Sequence, residues 1–478
     1  MPISVRNGTG HAGGVDHGYD LIVIGGGAAG LAAAQAGAAV RARTLLVSDG
    51  EIGGECTFTG CVPSKTLIEA AARGAAFGVA MAAVHEAVGA IAATETAEVL
   101  QRHGIEVVRG RAAFTAPREI TISGQTLRAR GFVVATGSQP AIPPVPGLTE
   151  IPFLTNENVF DLDALPASLA VLGGGAVGCE LAQAFGRLGS DVTVIEAAPR
   201  LLPAADPAIS KVISQIFAGE GITVRAGCPV AKAETGPGGQ GCVLHLRDGT
   251  QVAAGQLLVA TGRVPVTSGL GLAAAGVDVD ARGAVLTDRH LATTAPGIYA
   301  AGDVTGLMPF THAGYAMGRI AARNALRKRW SPPGRFSTAA IPWAVFTDPE
   351  VAQVGITEAQ AARVRGAQVA SLPMGEVDRA VTAGRTEGFV KLIAGPRAVT
   401  GRFGGGRVLG AAIVASRAGE MIDEVALAMR AGMFTGRLAQ TTHAYPTWSL
   451  AIQQAAAQFF GGYGGRAAHP PRPGDQES

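Results

Sequence analysis

The chain has 478 residues, of which 47% are hydrophobic and 16% are charged, and its formal net charge at pH 7 is +2. This length exceeds what one hydrophobic core usually serves, and so apolar a composition excludes general disorder. A nearly neutral charge balance provides no sequence-wide basic field, so a nucleic-acid partner is not expected.

The N-terminal segment is polar and glycine-rich and has no apolar core followed by a small-residue cleavage site. We therefore predict a disordered N-terminus over residues 1–18 and a cytoplasmic protein. Residues 21–40 are uncharged over a membrane-spanning length, but they hold glycines at fingerprint spacing. That spacing favours a buried strand, turn and helix over a membrane span, so no membrane partner is expected.

A first glycine fingerprint, G-x-G-x-x-G, is formed by Gly25, Gly27 and Gly30 between an apolar run and an alanine-rich segment. This order predicts a strand, a tight turn and a helix whose first N–H groups approach the pyrophosphate of a dinucleotide. A tight turn without a ligand is the alternative. After the next predicted strand, Asp49 is the candidate ligand of the ribose.

The most informative segment holds Cys56 and Cys61 within residues 53–65. A C-x4-C pair at the start of a predicted helix brings two sulfurs together, and a helix N-terminus lowers the pKa of a thiol there. Five cysteines in a chain without a secretory signal indicate catalysis or metal binding rather than a disulfide framework. A zinc half-site is the alternative, but no second pair with ligand spacing follows, so no metal site is predicted.

A second fingerprint repeats the first, with Gly173, Gly175 and Gly178 after another apolar run and Glu196 at the end of the next predicted strand. A carboxylate about 20 residues on accepts a hydrogen bond from a ribose 2′-hydroxyl and repels a 2′-phosphate. We therefore predict NADH over NADPH, although Arg200 lies close enough in the sequence to meet a phosphate and leaves NADPH open.

Each predicted dinucleotide-binding half closes with a related motif at the end of a strand. The motif is A-T-G-S at residues 135–138 and A-T-G-R at residues 260–263. Thr136 and Gly137 are predicted to contact the first dinucleotide, and Gly262 the second. The remaining thiols lie in none of these motifs and are predicted to be buried and inert: Cys179, Cys228 and Cys242.

Together these motifs resemble the pyridine nucleotide–disulfide oxidoreductases, the family of lipoamide dehydrogenase, glutathione reductase and mercuric reductase. The resemblance runs from about residue 19 to residue 460 and includes A-A-G-D at residues 300–303 and F-T-D-P-E at residues 346–350. It implies an FAD-dependent, NAD(P)H-oxidising enzyme. Electrons would pass from the nicotinamide through the flavin to a Cys56–Cys61 disulfide, and the resulting dithiol would reduce a second substrate.

The resemblance also implies roles for individual residues. Cys61 would be the thiolate against the flavin and Cys56 the interchange thiol. Asp303 would hold the FAD ribityl chain, and Lys65 would lie near the flavin N5 and pair with Glu180.

The predicted fold class is α/β, with two Rossmann-like dinucleotide-binding domains and a C-terminal α+β dimerisation domain. Proline-rich stretches mark two crossings between domains. The predicted parts are residues 19–155 and 276–335 for FAD binding, 156–275 for NAD(P)H binding, 336–460 for dimerisation and 461–478 for a disordered tail.

The resemblance fails in the C-terminal segment. Members that reduce disulfides carry a His-Pro-Thr segment followed by a Glu, and that His–Glu pair shuttles the proton of thiol exchange. Here Tyr445 replaces the His and Leu450 the Glu, while His443 has a counterpart of its own in the family. In the implied homodimer, Tyr445 would reach Cys56 of the partner subunit, so we predict it as a catalytic residue, with a packing role as the alternative.

The identity of the acceptor therefore stays open. A tyrosine is a poor base near neutral pH, which argues against a free disulfide. Mercuric reductases also have tyrosine in this region, so a metal-ion acceptor is the leading hypothesis, although this tail lacks the C-terminal cysteine pair of those enzymes. A quinone, an unusual disulfide and a flavin-bearing redox sensor are the alternatives.

Overall fold

The computed structural model describes residues 18–328, 330–397 and 401–472. Within those ranges the strands are β1 (Tyr19–Ile24), β2 (Thr44–Ser48), β3 (Ile105–Arg109), β4 (Ala112–Ala116), β5 (Glu119–Ile122), β6 (Gln125–Val134), β7 (Ser138–Pro140), β8 (Ser168–Leu172), β9 (Asp191–Glu196), β10 (Thr223–Ala226), β11 (Val230–Thr235), β12 (Cys242–Leu246), β13 (Gln251–Ala254), β14 (Gln256–Val259), β15 (Arg263–Pro265), β16 (Ile298–Ala300), β17 (Trp343–Val345), β18 (Glu350–Gly355), β19 (Gln368–Pro373), β20 (Phe389–Gly395) and β21 (Arg407–Ala415). The α-helices are α1 (Ala28–Ala39), α2 (Gly54–Phe58), α3 (Cys61–Ala72), α4 (Phe77–Ala92), α5 (Ala97–Arg102), α6 (Ala176–Leu188), α7 (Pro207–Gly219), α8 (Thr311–Ala325), α9 (Glu358–Ala361), α10 (Asp378–Thr382), α11 (Ala418–Arg430), α12 (Thr435–Gln440) and α13 (Leu450–Ala457).

The chain divides into two compact units. The described part of the first unit comprises residues 18–63, 85–141 and 263–337, apart from residue 329. The described part of the second comprises residues 64–84, 142–262 and 338–472, apart from residues 398–400. The first unit parallels the predicted FAD-binding parts, whereas the second groups the parts predicted for NAD(P)H binding and dimerisation. The domain boundaries themselves stay predictions.

The first unit is organised around one seven-stranded sheet in the order β3-β2-β1-β6-β5-β4, with β16 also paired to β6. The strands β3, β2, β1, β6 and β16 run parallel, and β5 and β4 continue the sheet antiparallel. Strand β1 is central, which explains why Leu21 and Ile22 are both fully buried although they point to opposite faces. The chain reverses its direction of winding beside β1, the position at which open parallel sheets bind ligands.

In the second unit, β10-β9-β8-β14 form a parallel sheet and β11-β12-β13 form an antiparallel one. Helix α6 follows β8 directly, and Phe185 on α6 and Phe217 on α7 are fully buried. Its remaining sheet is antiparallel in the order β17-β18-β21-β20-β19, and side chains of α11 and α13 join its apolar core. The α/β class with two dinucleotide-binding folds and a C-terminal α+β part is therefore confirmed.

The C-terminal tail differs from the prediction of disorder. Up to Arg472 it is ordered, because His469 exchanges two backbone hydrogen bonds with Val369 (2.8 and 2.9 Å) and Arg466 pairs with Glu376. Strand β19 is a sheet edge, and edges present unpaired backbone groups that a neighbouring segment can satisfy. Residues 473–478, like residues 1–17 of the predicted disordered N-terminus, lie outside the described residues.

One helical stretch among the described residues, Phe77–Arg102, is long and apolar enough to cross a membrane by length and composition alone. A single stretch of this kind is weak evidence, because an apolar helix of a water-soluble protein meets the same criterion. The absence of a membrane partner therefore stays a prediction.

Candidate active site

Three neighbouring parallel strands of the first unit deliver the predicted FAD motifs to one edge of their sheet. Gly25 follows β1, Thr136 and Gly137 follow β6, and Asp303 follows β16. Because the carboxyl ends of parallel strands meet at one edge, residues far apart in the chain converge there. The structure therefore brings these four residues to one edge of the sheet, and their contacts with FAD stay predictions.

The turn between β1 and α1 has the shape that a pyrophosphate requires. Gly25 has a φ of +115°, and a Cβ on Gly30 would collide with the carbonyl oxygen of Gly25, so both positions require glycine. Gly27 precedes α1, no side chain caps the helix, and a Cβ there would meet nothing within 4 Å. The N–H groups at the start of α1 are therefore accessible to an anion, and the residues present fit a bound dinucleotide.

The side chains around this turn refine two predictions. Asp49 is exposed just after β2, while Ser48 lies against Gly26, so Asp49 stays a prediction as the ribose ligand. The hydroxyl of Thr136 donates to the carbonyl of Val266 (2.6 Å), which gives that side chain a structural role.

The cysteine segment forms two short helices rather than one. Cys56 lies in α2 and Cys61 is the first residue of α3, with Gly60 between the helices. The hydroxyl of Thr311 donates to Cys56 Sγ (3.2 Å) and lies 3.4 Å from Cys61 Sγ, so one oxygen bridges both sulfurs. Both cysteines are in the reduced form, with no disulfide between them, and Thr311 is the first residue of the 15-residue helix α8.

The acidity of Cys56 differs from the sequence expectation of a lowered pKa. Its hydrogen bond with Cys61 and its burial raise the pKa of Cys56 well above the ordinary range, while the hydroxyl of Thr311 lowers it. The cause is the second sulfur, because two thiolates side by side repel each other. Cys56 therefore stays a thiol when Cys61 carries the charge, which suits the interchange and thiolate roles implied by the family resemblance.

In the second unit, Lys65 and Glu180 form the ion pair that the resemblance predicts. Lys65 Nζ lies 2.8 Å from Glu180 Oε2, and the Glu180 side chain is only 5% exposed. The other carboxylate oxygen, Oε1, accepts a hydrogen bond from the backbone N–H of Phe346 (2.8 Å), and the Phe346 ring centroid lies 4.7 Å from Lys65 Nζ. Phe346 therefore contacts both members of the pair.

The second dinucleotide turn repeats the first. Gly173 follows β8, a Cβ on Gly178 would collide with the Gly173 carbonyl oxygen, and Gly175 precedes α6 without a side-chain cap. Glu196 ends β9 and accepts backbone hydrogen bonds from the N–H groups of residues 174 and 198 (2.6 and 2.7 Å). Gly262 follows β14, with a φ of +130°. All the residues predicted for this turn except Gly262 converge on the carboxyl ends of β8 and β9.

Arg200 has partners inside the second unit. Its Nη1 donates to the carbonyl of Ala205 (2.9 Å) and to Ser210 Oγ (3.0 Å), and its Nη2 donates to the carbonyl of Pro203 (2.7 Å). A guanidinium directed at these three acceptors is not oriented toward a ribose 2′-phosphate.

Tyr445 is 69% exposed, and its hydroxyl donates to Asp378 Oδ2 (2.7 Å). This hydrogen bond and the negative charge of Asp378 raise the pKa of Tyr445 above its ordinary value. A raised pKa keeps the phenol protonated at neutral pH, which argues against a role as a general base. A role as proton donor or as a contact of the acceptor is compatible with this geometry.

The neighbouring His443 does form a His–Glu pair, but with Glu424 rather than with a residue of α13. Its Nε2 lies 3.0 Å from Glu424 Oε2, and its Nδ1 lies 3.0 Å from the carbonyl oxygen of Thr441. Both neighbours are acceptors, so each ring nitrogen is positioned to donate. Both ring nitrogens therefore have hydrogen-bond partners within the second unit.

The three remaining cysteines lie outside this arrangement. Cys179 and Cys242 are buried as predicted, and burial raises the pKa of both thiols. Cys228 is only half-buried, which corrects the prediction, because Asp248 lies 3.7 Å from its sulfur at the surface. In the described part of the chain, no group of three or more His, Cys, Asp or Glu side chains could hold a metal ion.

Sequence reasoning missed four residues of these sites, Thr311, Arg263, Phe346 and Asp378. Thr311 and Arg263 are separated from the cysteine segment by more than 200 residues, and Asp378 lies 67 residues from Tyr445. The one available signal was the motif at residues 260–263, whose final Arg263 differs from the Ser138 that closes the matching motif.

Two family models match the chain. The model for pyridine nucleotide-disulphide oxidoreductase covers residues 19–318, and the model for the dimerisation domain of these enzymes covers residues 341–456. Among curated proteins, dihydrolipoyl dehydrogenase of Thermus scotoductus is 36% identical over 92% of this chain and 96% of its own length. Mercuric reductase of Streptomyces lividans is 37% identical over 92% of this chain and 96% of its own length.

Solved structures show the same relationship. The Cu(II) complex of the HOCl-induced flavoprotein disulfide reductase RclA from Escherichia coli is 31% identical, with a TM-score of 0.82 over 91% of this chain and 98% of its own. LpdA from Mycobacterium tuberculosis is also 31% identical, with a TM-score of 0.81 over 92% of this chain and 99% of its own.

Proposed function

The chain belongs to the pyridine nucleotide-disulphide oxidoreductase family, and from that premise we propose that it is an NADH-dependent reductase of a soft metal ion, of the mercuric-reductase type. The chain is a flavoprotein oxidoreductase that uses FAD and NAD(P)H. Bound FAD supplies the two-electron chemistry that links a nicotinamide to a disulfide. In our proposal, Cys56 and Cys61 hold Hg(II) between their sulfurs while it is reduced, because thiolates are the ligands that soft metal ions prefer.

The observation that carries this proposal is the hydrogen bond from the Tyr445 hydroxyl to the carboxylate of Asp378. Reduction of a disulfide releases a thiol, which needs an acid or base to carry its proton. Tyr445 occupies the position of that base, and its hydroxyl already donates to Asp378 (2.7 Å). Reduction of Hg(II) by NADH yields Hg(0), NAD⁺ and one proton, and no thiol leaves. A metal acceptor therefore does not require the missing base.

The preference for NADH follows from Glu196 and Arg200. The carboxylate of Glu196 at the end of β9 would accept from a ribose 2′-hydroxyl, and Arg200 is held by carbonyl and hydroxyl acceptors of its own unit. We expect kcat/KM to be at least about tenfold higher with NADH than with NADPH. Steady-state rates with both nucleotides and one fixed acceptor test this, and a higher value with NADPH would overturn it.

The active unit in this proposal is a homodimer, because the dimerisation domain of the family spans residues 341–456. Tyr445 would then contribute to the site of Cys56 of the partner subunit. A stable monomer with full activity, identified by sedimentation and assay at the same concentration, would contradict this arrangement. A cytoplasmic location stays a prediction.

The second candidate is reduction of an unusual disulfide. The observation in its favour is the His443–Glu424 pair, which supplies a His and a Glu in hydrogen-bond contact near Tyr445 in the sequence. Against it, the Nδ1 of His443 also has a partner, the carbonyl oxygen of Thr441, so both ring nitrogens are already engaged within the second unit. Turnover of oxidised glutathione at a rate matching or exceeding that of Hg(II) would favour this candidate.

The experiment that separates the acceptors begins with an anaerobic NADH titration of the purified protein, followed by visible absorbance. Hg(II), Cu(II), oxidised glutathione and a quinone are then added separately to the reduced protein. We expect reoxidation by Hg(II) and Cu(II), lost in Cys61→Ser and kept in the control Cys228→Ser, whose thiol is also accessible. Quinone reduction that persists in Cys56→Ser would indicate direct flavin chemistry, and slow turnover of every acceptor would indicate a redox sensor.

A further inference from the structure

Arg263, which closes the second A-T-G motif, forms a two-pronged ion pair with Glu55. Its Nη1 donates to Glu55 Oε1 (2.6 Å), and its Nη2 donates to Glu55 Oε2. The two side chains are only 21% and 29% exposed. Glu55 directly precedes Cys56, so this ion pair holds the residue next to the expected interchange thiol.

The other edge of the same guanidinium faces the flavin side of the first unit. Arg263 Nε donates to Ser138 Oγ (2.7 Å), and Nη2 donates to the Ser138 carbonyl (2.9 Å). The Ser138 hydroxyl in turn donates to Asp303 Oδ2 (2.6 Å), which lies 3.7 Å from Arg263 Nε. One planar side chain therefore links Glu55 to the carboxylate expected to hold the FAD ribityl chain.

The backbone that carries Arg263 is itself well fixed. Strand β15 pairs antiparallel with β7, so that Arg263 is opposite Pro140. Beyond the strands, the N–H of Val266 donates to the carbonyl of Gly137 (3.0 Å), and the hydroxyl of Thr136 donates to the carbonyl of Val266 (2.6 Å). The guanidinium thus extends from a two-stranded ribbon that two further hydrogen bonds close at its Val266 end.

The residues that precede Cys56 are held from the opposite side by the first dinucleotide turn. The N–H of Gly53 donates to the carbonyl of Gly26 (2.9 Å). Gly54 has a φ of +63°, and a Cβ on it would lie 2.8 Å from Gly27 Cα, so only glycine allows this approach. Residues 53–61, which we call the redox turn, are therefore anchored to the dinucleotide turn at one end and to Arg263 through Glu55.

We propose that Arg263 is a positioning residue that fixes the redox turn relative to Asp303. A rigid planar fork suits this task, because its donors have fixed directions and can satisfy two acceptor groups at once. Without Arg263, Glu55 and Asp303 become two partly buried carboxylates without their shared cation. The proposal does not depend on the identity of the acceptor.

The test compares Arg263→Met, Arg263→Lys and Glu55→Gln in the FAD-loaded protein. Two quantities are measured without any acceptor: the rate at which FAD dissociates, from its fluorescence, and the long-wavelength thiolate–flavin absorbance after reduction by NADH. For Arg263→Met we expect FAD to dissociate about tenfold faster and the absorbance to fall to about half or less, because both ends of the link are lost. Arg263→Lys should give intermediate values, since it keeps the charge and loses the fork.

Glu55→Gln separates the two ends of the link. It should reduce the absorbance while FAD dissociates within about twofold of the unmodified protein, because the contacts of Arg263 with Ser138 and Asp303 remain. The matched control is Arg128→Met, which removes a guanidinium that also donates through two nitrogens to a glutamate, Glu119, in the same unit. If both quantities in Arg263→Met stayed within twofold of this control, the positioning role would be wrong. A failure to reduce metal ions would leave both measurements unchanged.

Discussion

The cysteine pair and the Tyr445 segment are the two places to which the sequence assigns acceptor chemistry, and they hold their protons differently. At the cysteines, the Thr311 hydroxyl approaches both sulfurs at the start of a 15-residue helix, where the helix dipole favours negative charge. In the Tyr445 segment, the phenol donates to Asp378 and both ring nitrogens of His443 face acceptors. In the first region one hydroxyl is shared between two sulfurs, whereas in the second the raised pKa of Tyr445 keeps the proton on its phenol.

In our proposal, this difference marks where the chain departs from relatives that reduce disulfides. The parts that move electrons, the glycine turns, the cysteines and the Lys65–Glu180 pair, are all present. The part that would move the proton of a leaving thiol is replaced. Specialisation for an acceptor can therefore arise from proton handling alone, while the electron path stays unchanged.

The largest expected effect comes from Thr311→Val, which removes the hydroxyl and keeps the shape of the side chain. Thr311 lowers the pKa of Cys56, so its loss raises that pKa further and makes thiolates at the pair less stable. We expect acceptor reduction at pH 7 to slow by about tenfold and to recover as the pH rises, because the thiolate forms at higher pH. A pH profile of the oxidative half-reaction measures this shift.

Thr311→Ser is the matched control, because it restores the hydroxyl and should restore the original pH profile. If Thr311→Val and Thr311→Ser slowed the reaction equally at every pH, the hydroxyl would have no part in stabilising the thiolate. The difference that we draw between the cysteine pair and the Tyr445 segment would then be wrong for the cysteine pair.

A smaller effect is expected from Tyr445→Phe. In the metal-reductase proposal the phenol carries no proton to or from a thiol, so the rate of Hg(II) reduction should stay within about threefold of the unmodified protein. The pH midpoint of the Tyr445 phenol, obtained as the difference in ultraviolet absorbance between the two proteins, should lie above 10. Asp378→Asn should move it back toward 10, because the cause of the raised pKa is removed.

A fall of more than about a hundredfold in Tyr445→Phe would contradict this view. It would make Tyr445 an essential acid, and the two regions would then both supply protons to the reaction.

The sequence predicts those parts of the site whose residues lie close together in the chain. The glycine turns, Glu196 and the cysteine pair each occupy one short segment with a defined spacing, and backbone geometry requires those residues there. The sheet edge on which they converge follows from alternating strands and helices. The Lys65–Glu180 pair, separated by 115 residues, could be assigned only from the family resemblance.

Contacts between distant segments could not be predicted. Thr311 lies 255 residues from Cys56, and Arg263 lies 208 residues from Glu55, and no periodicity in the sequence relates such partners. The raised pKa of Cys56 has a local origin instead, because the hydrogen bond with the neighbouring Cys61 and burial outweigh the lowering that a helix N-terminus predicts. The ordered tail depends on a sheet edge that only the folded chain presents.

The smallest expected effect on turnover comes from His443→Gln. Because both ring nitrogens already have partners within the second unit, the metal-reductase proposal gives the imidazole no part in proton transfer, and the rate per folded protein should stay within about twofold. The change should instead lower stability by about 1–3 kcal/mol, since the His443 side chain is only 8% exposed and its loss leaves Glu424 without this partner. Thermal melting and specific activity, measured on the same preparation, separate the two effects. A large loss of activity at unchanged stability would identify His443 as the base of a disulfide reductase and would reverse the assignment of the acceptor.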